Sequence, residues 1–132
     1  MNTLCINLSI QSVGDRAFHR QAIEALTENG EAICYRICLE ITETSAITNM
    51  ADAKIFIEQA RILGLRIALD EFGAGSSSFG YLKTLKVDML KIDGQFIQHL
   101  MNDPFNYAAV SCFVDAADVI GLKTIAEFVD YL

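Results

Sequence analysis

The sequence predicts an α/β protein built from parallel βα repeats, and three observations support this class. Short apolar runs alternate with amphipathic segments along all 132 residues. The apolar runs are nearly continuous, as in strands that are covered on both faces of a sheet. Strand and helix follow each other five times, which favours right-handed βαβ units. An open doubly wound sheet and an incomplete TIM-like (β/α)8 barrel both fit, because a complete barrel needs roughly 200–250 residues.

Each element follows from its apolar pattern and from the residues that bound it. The predicted strands cover residues 4–8, 35–41, 66–70, 87–93 and 123–128. The predicted helices cover residues 16–29, 49–63, about 78–84, and 104–120. The three long helices begin at capping residues and end at glycines, namely Asp15 with Gly30, Asn49 with Gly64, and Asp103 with Gly121. Pro104 stands at the first helical position, where proline is favoured.

Composition and charge exclude several classes of protein. Hydrophobic residues make up 52% of the chain, which predicts a folded domain. The net charge of −7 disfavours polymeric nucleic acid, although metal ions can still hold a small phosphorylated ligand. No apolar run is long enough for a membrane span and no secretory signal is visible, so we expect a cytoplasmic location. The four cysteines form no CxxC pair and are expected to be free, buried thiols.

Every predicted strand ends in polar side chains. They are Asn7, Glu40, Asp70 with Glu71, Lys91 with Asp93, and Glu127. One interpretation is that each acid only caps the loop or helix that follows. The other is a site at this edge of the sheet, where parallel α/β folds build their sites. Oxygen ligands without His or Cys suit Mg²⁺ or Mn²⁺, and adjacent carboxylates such as Asp70 and Glu71 can bridge two ions.

Lys91 is unusual because it interrupts an otherwise apolar strand, "DMLKID". A lone lysine in a strand is usually a surface residue. In an apolar strand, an inward lysine that pairs with a carboxylate is an alternative of at least equal weight, and it could neutralise charge on a phosphate or on an attacking hydroxide. Two other polar side chains are given ordinary roles. His19 lies on a polar helix face and is expected to be solvated, and Tyr81 is interpreted as a packing residue.

Four segments carry a resemblance to a known family. They are "INLSIQ", "CLEITETSA", "IALDEFGAGSSSFGYLKTLKVDMLKID" and "TIAEF", and they cover almost the whole chain in order. Together they resemble EAL domains, the cyclic di-GMP phosphodiesterases of bacterial signalling. The resemblance implies a (β/α)8-type barrel that hydrolyses one phosphodiester linkage of cyclic di-GMP to a linear diguanylate. Residues 1–132 would then form a single, partial EAL domain.

The resemblance also implies a role for each strand-end residue. The ligands of a two-ion Mg²⁺ or Mn²⁺ site would be Asn7 and Glu40 for the first ion, Asp70 for both, and Glu71 and Glu127 for the second. Lys91 would position or help deprotonate the attacking water. Asp93 would support Lys91 as a neighbouring carboxylate.

A loop that follows the third strand completes the implied site. The family uses the matching segment, Phe72 to Phe79, for substrate contact and dimerisation, and Glu43 matches the acid that anchors it. The residues assigned to the substrate and to this loop are Ser9, Glu43, Phe72, Gly73, Gly75, Ser77 and Ser78.

Departures from the family pattern keep a second function open. The strand with the Glu-Ala-Leu motif and the C-terminal end are not in this chain, and Glu71 replaces an aspartate. The extra methylene moves the carboxylate by about 1 Å, and a misplacement of that size can cost about 10²-fold in rate. The alternative is therefore a degenerate EAL module that binds cyclic di-GMP or a protein partner without catalysis. A remnant without independent function is a third possibility.

A five-stranded part of a barrel leaves two sheet edges and an apolar inner face uncovered. Open edges pair readily with other chains, and soluble monomers rarely expose large apolar patches. We therefore expect a homo-oligomer, a closed-up open sheet, or a chain that is part of a longer protein.

Overall fold

The computed structural model describes residues 3–73, 80–98 and 100–126 of the chain. Within them, the strands form one parallel sheet. Its strands are β1 (Leu4–Asn7), β2 (Ile37–Thr42), β3 (Arg66–Phe72), β4 (Met89–Ile92) and β5 (Lys123–Ala126). Their order in the sheet is β1-β2-β3-β4-β5. A doubly wound sheet reverses its strand order at a switch point, whereas a barrel wall keeps sequential order. The structure therefore confirms parallel βα repeats and selects the barrel-type arrangement.

Helices connect the strands. They are α1 (Ile10–Val13), α2 (Arg16–Asn29), α3 (Glu31–Cys34), α4 (Glu43–Thr48), α5 (Met50–Ile62), α6 (Gly94–Ile97) and α7 (Pro104–Val119), with a 3₁₀ turn at Gly80–Lys83. The predictions of α2, α5 and α7 are confirmed to within one residue at each end. None of the remaining α-helices is longer than six residues, too short to show an amphipathic period, so the sequence pattern missed them. None of the helices in the described ranges is long and apolar enough to cross a membrane.

The predicted helix caps form in two of three cases. The side chain of Asp15 accepts hydrogen bonds from the first turn of α2, and Asp103 does the same for α7. Asn49 precedes α5 as predicted, but its side chain makes no capping bond. Its amide instead donates to the backbone oxygens of Ser45 and Ile10, which ties α5 to the two short helices.

The hydrophobic core lies between the sheet and the helices. Alternate strand residues enter it, including Leu39, Ile41, Ile67 and Leu69. The prediction that strands are covered on both faces holds for β2, which is buried along nearly its whole length. It is wrong for β1, where all four residues are exposed, because β1 is an edge strand of the sheet.

The prediction that His19 is solvated is wrong. His19 is 6% exposed, and its ring stacks on Phe56 of α5 with a centroid distance of 4.4 Å. The apolar stripe of α2 is wider than the sequence suggested, since His19 lies beside Phe18 at the contact with α5. The buried Nε2 atom has no hydrogen-bond partner among the residues that the structure describes.

Replacing His19 with leucine is expected to stabilise the protein by about 1 kcal/mol. Leucine keeps the apolar contact with Phe56 and removes a buried nitrogen without a partner, which costs about 1–3 kcal/mol. Urea unfolding measures the change. The matched control is Arg20→Leu on the exposed side of the same helix, for which we expect no gain. Equal stabilisation by both substitutions would contradict the explanation.

β3 contains a bulge at Asp70 and Glu71. The register with β4 shifts between Leu69 and Phe72, and both of these residues enter the core although they are three positions apart. Strict alternation would send Glu71 into the core, but it is exposed, and Asp70 is half-buried. Glu71 has a φ of +53°, a left-handed conformation that is rare for glutamate. The bulge therefore keeps two adjacent carboxylates out of the core together.

Replacing Glu71 with glycine is expected to raise the free energy of unfolding by about 1 kcal/mol, because a left-handed conformation costs an L-residue roughly 1–2 kcal/mol and glycine almost nothing. Thermal unfolding measures this gain. The matched control is Glu58→Gly in α5, where the same change should cost about 1 kcal/mol in an exposed helix position. A loss of stability in both variants would show that the backbone at Glu71 is not strained.

Candidate functional site

The strand-end residues of four strands share one face of the sheet. Asn7 pairs in register with Glu40, and Glu40 pairs with Ala68, two positions before Asp70. Ala68 pairs in turn with Met89, two positions before Lys91. Because side chains alternate along a strand, these polar residues face away from the core that holds Leu39 and Leu69. The structure thus places Asn7, Glu40, Asp70 and Lys91 on one face of the sheet.

Glu40 and Lys91 form an ion pair at the centre of this face. Lys91 Nζ lies 2.5 Å from Glu40 Oε1, and the two side chains are 25% and 9% exposed. Of the two positions considered for Lys91, the structure therefore shows the paired one, on the face of the sheet opposite the core. The two residues are 51 positions apart in sequence and lie on β2 and β4 with β3 between them, so only the parallel sheet brings them into contact.

Cys38 lies on the same face, two positions before Glu40 on β2. Burial, with smaller contributions from the neighbouring Cys5 and Glu40, raises the pKa of the Cys38 thiol to about 11. The thiol therefore stays protonated at neutral pH. All four cysteines are free thiols. Cys34 and Cys38 are buried as predicted, whereas the prediction of burial is wrong for Cys5 and Cys112, which are exposed.

Glu43 contacts both sides of the loop that the sequence singled out. It follows β2 at the start of α4 and is only 1% exposed. Glu43 Oε1 accepts a hydrogen bond from the backbone N–H of Gly73 at 3.3 Å. Glu43 Oε2 accepts one from the hydroxyl of Tyr81. One buried carboxylate thus holds residues on either side of residues 74–79.

Tyr81 has a polar role that the sequence pattern did not indicate. Its ring packs against the core, as predicted, but its hydroxyl is a hydrogen-bond donor to Glu43. Burial raises the pKa of Tyr81 far above its ordinary value, and the hydrogen bond to Glu43 and its charge add to the rise. The Tyr81 hydroxyl therefore remains a hydrogen-bond donor at neutral pH.

Phe72 and Gly73 form the base of the same loop. Phe72 is 2% exposed and packs edge-on against Phe113 at a centroid distance of 5.1 Å. Gly73 has a φ of +96°, and a Cβ atom there would lie 2.8 Å from ring atoms of Phe113 and Phe96. Only glycine fits this position, so the end of β3 is fixed by packing.

Two predicted site residues cap short helices. The Oδ1 atom of Asp93 accepts a hydrogen bond from the backbone N–H of Gln95 at the start of α6. Ser9 accepts one from the N–H of Ser12 in α1. Asp93 therefore follows the first interpretation of the strand-end polar residues, in which an acid caps the helix that follows. Glu40 instead forms an ion pair with Lys91. Four further predicted residues lie outside the described residues, namely Gly75, Ser77, Ser78 and Glu127.

The donor chemistry of this face fits hard divalent cations. Asn7, Glu40 and Asp70 offer amide and carboxylate oxygens, the ligands that Mg²⁺ and Mn²⁺ prefer. Within residues 3–73, 80–98 and 100–126, no three His, Cys, Asp or Glu side chains stand close enough to hold a metal ion. The described part of the site thus supplies oxygen ligands of the type that these cations prefer. The positive group beside Glu40 in the structure is the ammonium group of Lys91.

A parallel sheet in sequential order with acids and a lysine at one edge defines a (β/α)-barrel type of domain, with its site at the carboxyl ends of the strands. The chain belongs to the EAL domain family, whose sequence model matches residues 2–131.

Curated relatives have matching names. The chain is 46% identical over 94 residues to the cyclic di-GMP phosphodiesterase PdeB of Shewanella oneidensis, covering 71% of this chain and 11% of the relative. It is 35% identical over 124 residues to the cyclic di-GMP phosphodiesterase PdeA of Borreliella burgdorferi, covering 94% of this chain and 18% of the relative. The chain thus spans less than a fifth of either relative.

Solved structures show the same fold. The phosphodiesterase PaMucR in complex with c-di-GMP superimposes with a TM-score of 0.86 at 32% identity, covering 98% of this chain and 52% of that one. The EAL domain of FimX from Pseudomonas aeruginosa bound to c-di-GMP superimposes with a TM-score of 0.84 at 26% identity, again covering 98% and 52%. The chain therefore matches about half of each of these structures.

Proposed function

We propose that this chain is part of a cyclic di-GMP phosphodiesterase, which hydrolyses one phosphodiester linkage of cyclic di-GMP to linear diguanylate. The observation that carries the proposal is the Glu40–Lys91 pair at 2.5 Å, on the face shared by Asn7 and Asp70. A phosphodiester hydrolase needs carboxylates to hold cations and a positive group close to the reacting phosphate. The names of the curated relatives supply the substrate.

Mg²⁺ or Mn²⁺ is the cofactor that this proposal requires. Its ligands in a two-ion site would be Asn7, Glu40, Asp70, Glu71 and Glu127. When bound, such ions neutralise phosphate charge and lower the pKa of water. Hydrogen bonds within the chain orient one of these ligands. Asp70 Oδ1 is held by the backbone N–H of Glu71 at 2.9 Å, which leaves the second carboxylate oxygen for a ligand.

Lys91 is the group that we assign to the attacking water. Its ammonium group lies within the site because it reaches Glu40 across β3, and the surrounding burial limits screening by solvent. A cation there stabilises the hydroxide form of a nearby water and the negative charge that develops on the phosphate. Asp93 lies two residues after Lys91. Its side chain caps α6, and this cap would fix the position of the end of β4.

The loop after β3 is the part of the site that we assign to substrate contact, together with Ser9. Glu43 supports it by holding Gly73 and Tyr81. The assigned loop residues are Phe72, Gly73, Gly75, Ser77 and Ser78. Phe72 would act as the buried base of the loop, since its ring lies in the core.

We also propose a cytoplasmic location and a homo-oligomer. Free cysteines, including the exposed Cys5 and Cys112, are typical of a reducing compartment. β1 is an edge strand whose apolar residues Leu4 and Ile6 are 64% and 43% exposed, and such edges pair with other chains. A second copy, or a further part of a longer protein, would cover them.

Binding of cyclic di-GMP without turnover is the second candidate function. Glu71 favours it, because a glutamate in a left-handed conformation stands where the family pattern has an aspartate. Its longer side chain displaces the carboxylate by about 1 Å, which can cost about 10²-fold in rate while leaving binding intact.

A turnover assay and a binding assay together separate the two functions. The purified chain is incubated with cyclic di-GMP and Mn²⁺ or Mg²⁺, and chromatography follows the linear product. Glu40→Gln is the control, since it keeps the shape and removes the charge. Product that is lost in Glu40→Gln supports the phosphodiesterase. Calorimetric binding without product supports the second candidate, particularly if Glu71→Asp produces turnover. Neither binding nor product in a folded sample contradicts both.

A further inference from the structure

We propose that the groove between α2 and α5 is a binding site for a small organic acid that has one carboxylate and an apolar body. His19 lines this groove, which has a volume of about 330 Å³. The Nε2 atom of His19 is buried and has no hydrogen-bond partner among the residues that the structure describes. The groove lies on the helix side of the sheet, whereas the Glu40–Lys91 pair lies on the other face. The inference therefore does not depend on the proposed hydrolysis.

The unpartnered nitrogen of His19 costs stability that the fold has no need to lose. The ring of His19 is buried and stacks on Phe56, a contact that a leucine side chain would also make. A buried polar atom without a partner calls for an explanation, such as a ligand that completes its hydrogen bonding. Residues that break the rules of core packing are concentrated at functional sites. An unpartnered nitrogen in the wall of a groove therefore indicates a ligand that supplies the partner.

The charges that line the groove select a ligand with a single negative charge. Arg16 and Arg20 lie one helical turn apart on α2, and the carboxylates of Glu24 and Asp52 line the same groove. Because these charges balance, a multiply charged anion such as inorganic phosphate gains no net attraction. None of the ion pairs in the described part of the chain includes Arg20. A carboxylate that accepts hydrogen bonds from Arg20 and from Nε2 of His19 would supply both missing partners.

One ion pair spans the groove and controls access to it. Arg16 on α2 contacts Asp52 on α5, with Nε 3.0 Å from Oδ1. The Arg16 side chain is largely exposed, and an ion pair in such a position contributes little to stability. The pair can therefore open at low cost, which a ligand requires because Nε2 of His19 is covered. Once the pair is open, Arg16 is a further donor to the carboxylate of the ligand.

Two isoleucines supply the apolar walls of the groove. Ile23 of α2 packs against the core, and Ile55 of α5 is half-exposed. Covering their surface favours an organic body over a bare anion. The volume of about 330 Å³ lies at the small end of the range of about 300–1,000 Å³ for ligand pockets. A compact acid such as benzoate therefore suits the groove.

Further strands of a barrel would leave this groove accessible. α2 lies between β1 and β2 in the chain, and α5 lies between β2 and β3. The two helices are therefore neighbours on the outer side of the sheet. Additional strands extend the sheet beyond β1 or β5, so they do not enter the space between these helices.

Titration of the native chain with benzoate tests the proposal. We expect saturable binding with a Kd of about 1 mM, a shift of the His19 Nε2 resonance in NMR spectra, and a higher urea midpoint. His19→Leu should bind benzoate about tenfold more weakly, although urea unfolding should show that it is the more stable protein. His19→Gln retains a side-chain N–H donor and should retain part of the affinity. Arg20→Gln should also weaken binding by about tenfold.

Three controls separate this site from general attraction of anions to the protein. Lys54→Met removes a cation of α5 that does not line the groove, and it should leave the affinity for benzoate unchanged. Benzamide, the uncharged analogue, and inorganic phosphate should each bind at least about tenfold more weakly than benzoate. The proposal would be overturned by no saturable binding of benzoate, or by unchanged affinity in His19→Leu and Arg20→Gln. Binding of benzamide or phosphate as tight as that of benzoate would also overturn it.

Discussion

Replacing Lys91 with methionine is expected to lower the free energy of unfolding by about 2 kcal/mol in metal-free buffer. Methionine keeps the length of the side chain but leaves the buried Glu40 carboxylate without its ammonium partner. Removing one member of a buried ion pair costs about 3–5 kcal/mol, and the partial exposure of Lys91 reduces this cost. Urea unfolding in the presence of a chelator measures the difference.

Divalent cations should return part of the stability that Lys91→Met loses. A cation that binds beside Glu40 replaces the missing positive charge, so Mg²⁺ or Mn²⁺ should raise the urea midpoint of the variant more than that of the native chain. The control is Lys54→Met on the exposed side of α5, which should lose little stability and respond to cations like the native chain. An equal loss in both variants would show that the Glu40–Lys91 pair contributes nothing.

Lys91→Met should also abolish turnover under conditions where cations keep it folded. A positioned proton-transfer group contributes about 10²–10⁴-fold to a rate, and the variant loses both this contribution and the charge near the phosphate. The comparison is made at saturating Mn²⁺ with binding of cyclic di-GMP measured in parallel. Unchanged binding with lost product would separate the chemical role of Lys91 from its structural role.

The strands and the long helices could be predicted because their patterns are local. The apolar run before Asp70 and the capping residues Asp15 and Asp103 each determine an element from a few neighbouring residues. The strand-end cluster was predictable for a different reason. Parallel strands bring their carboxyl ends to one edge, so polar residues far apart in sequence, such as Glu40 and Lys91, meet without any local signal.

The features that could not be predicted depend on tertiary contacts. His19 has a polar side chain on an amphipathic helix, and only the position of Phe56 shows that it is buried. The bulge at Glu71 changes which face its side chain occupies, and no residue in β3 marks it. The hydrogen bond from Tyr81 joins residues 38 positions apart, and a tyrosine within an apolar segment gives no indication of its partner.

Replacing Tyr81 with phenylalanine is expected to lower the free energy of unfolding by about 2 kcal/mol and to weaken cyclic di-GMP binding. The substitution keeps the ring and removes the hydroxyl that donates to Glu43, a carboxylate that is 1% exposed. A hydrogen bond to a charged group contributes about 1.5–3 kcal/mol, and its loss leaves the buried carboxylate with fewer donors. Urea unfolding and calorimetry measure the two effects. Tyr35→Phe is the matched control, because Tyr35 is 60% exposed.

A double-mutant cycle with Glu43→Gln then assigns the loss to the contact itself. If Tyr81 and Glu43 act together, Tyr81→Phe should cost much less stability in the Glu43→Gln background than in the native chain. The amide of Gly73 should exchange hydrogen faster in Glu43→Gln, because its acceptor is the same carboxylate. Additive losses would mean that the hydroxyl acts elsewhere. Coupled losses with weaker binding would mean that one buried carboxylate connects the stability of the fold to the geometry of the loop beside the site.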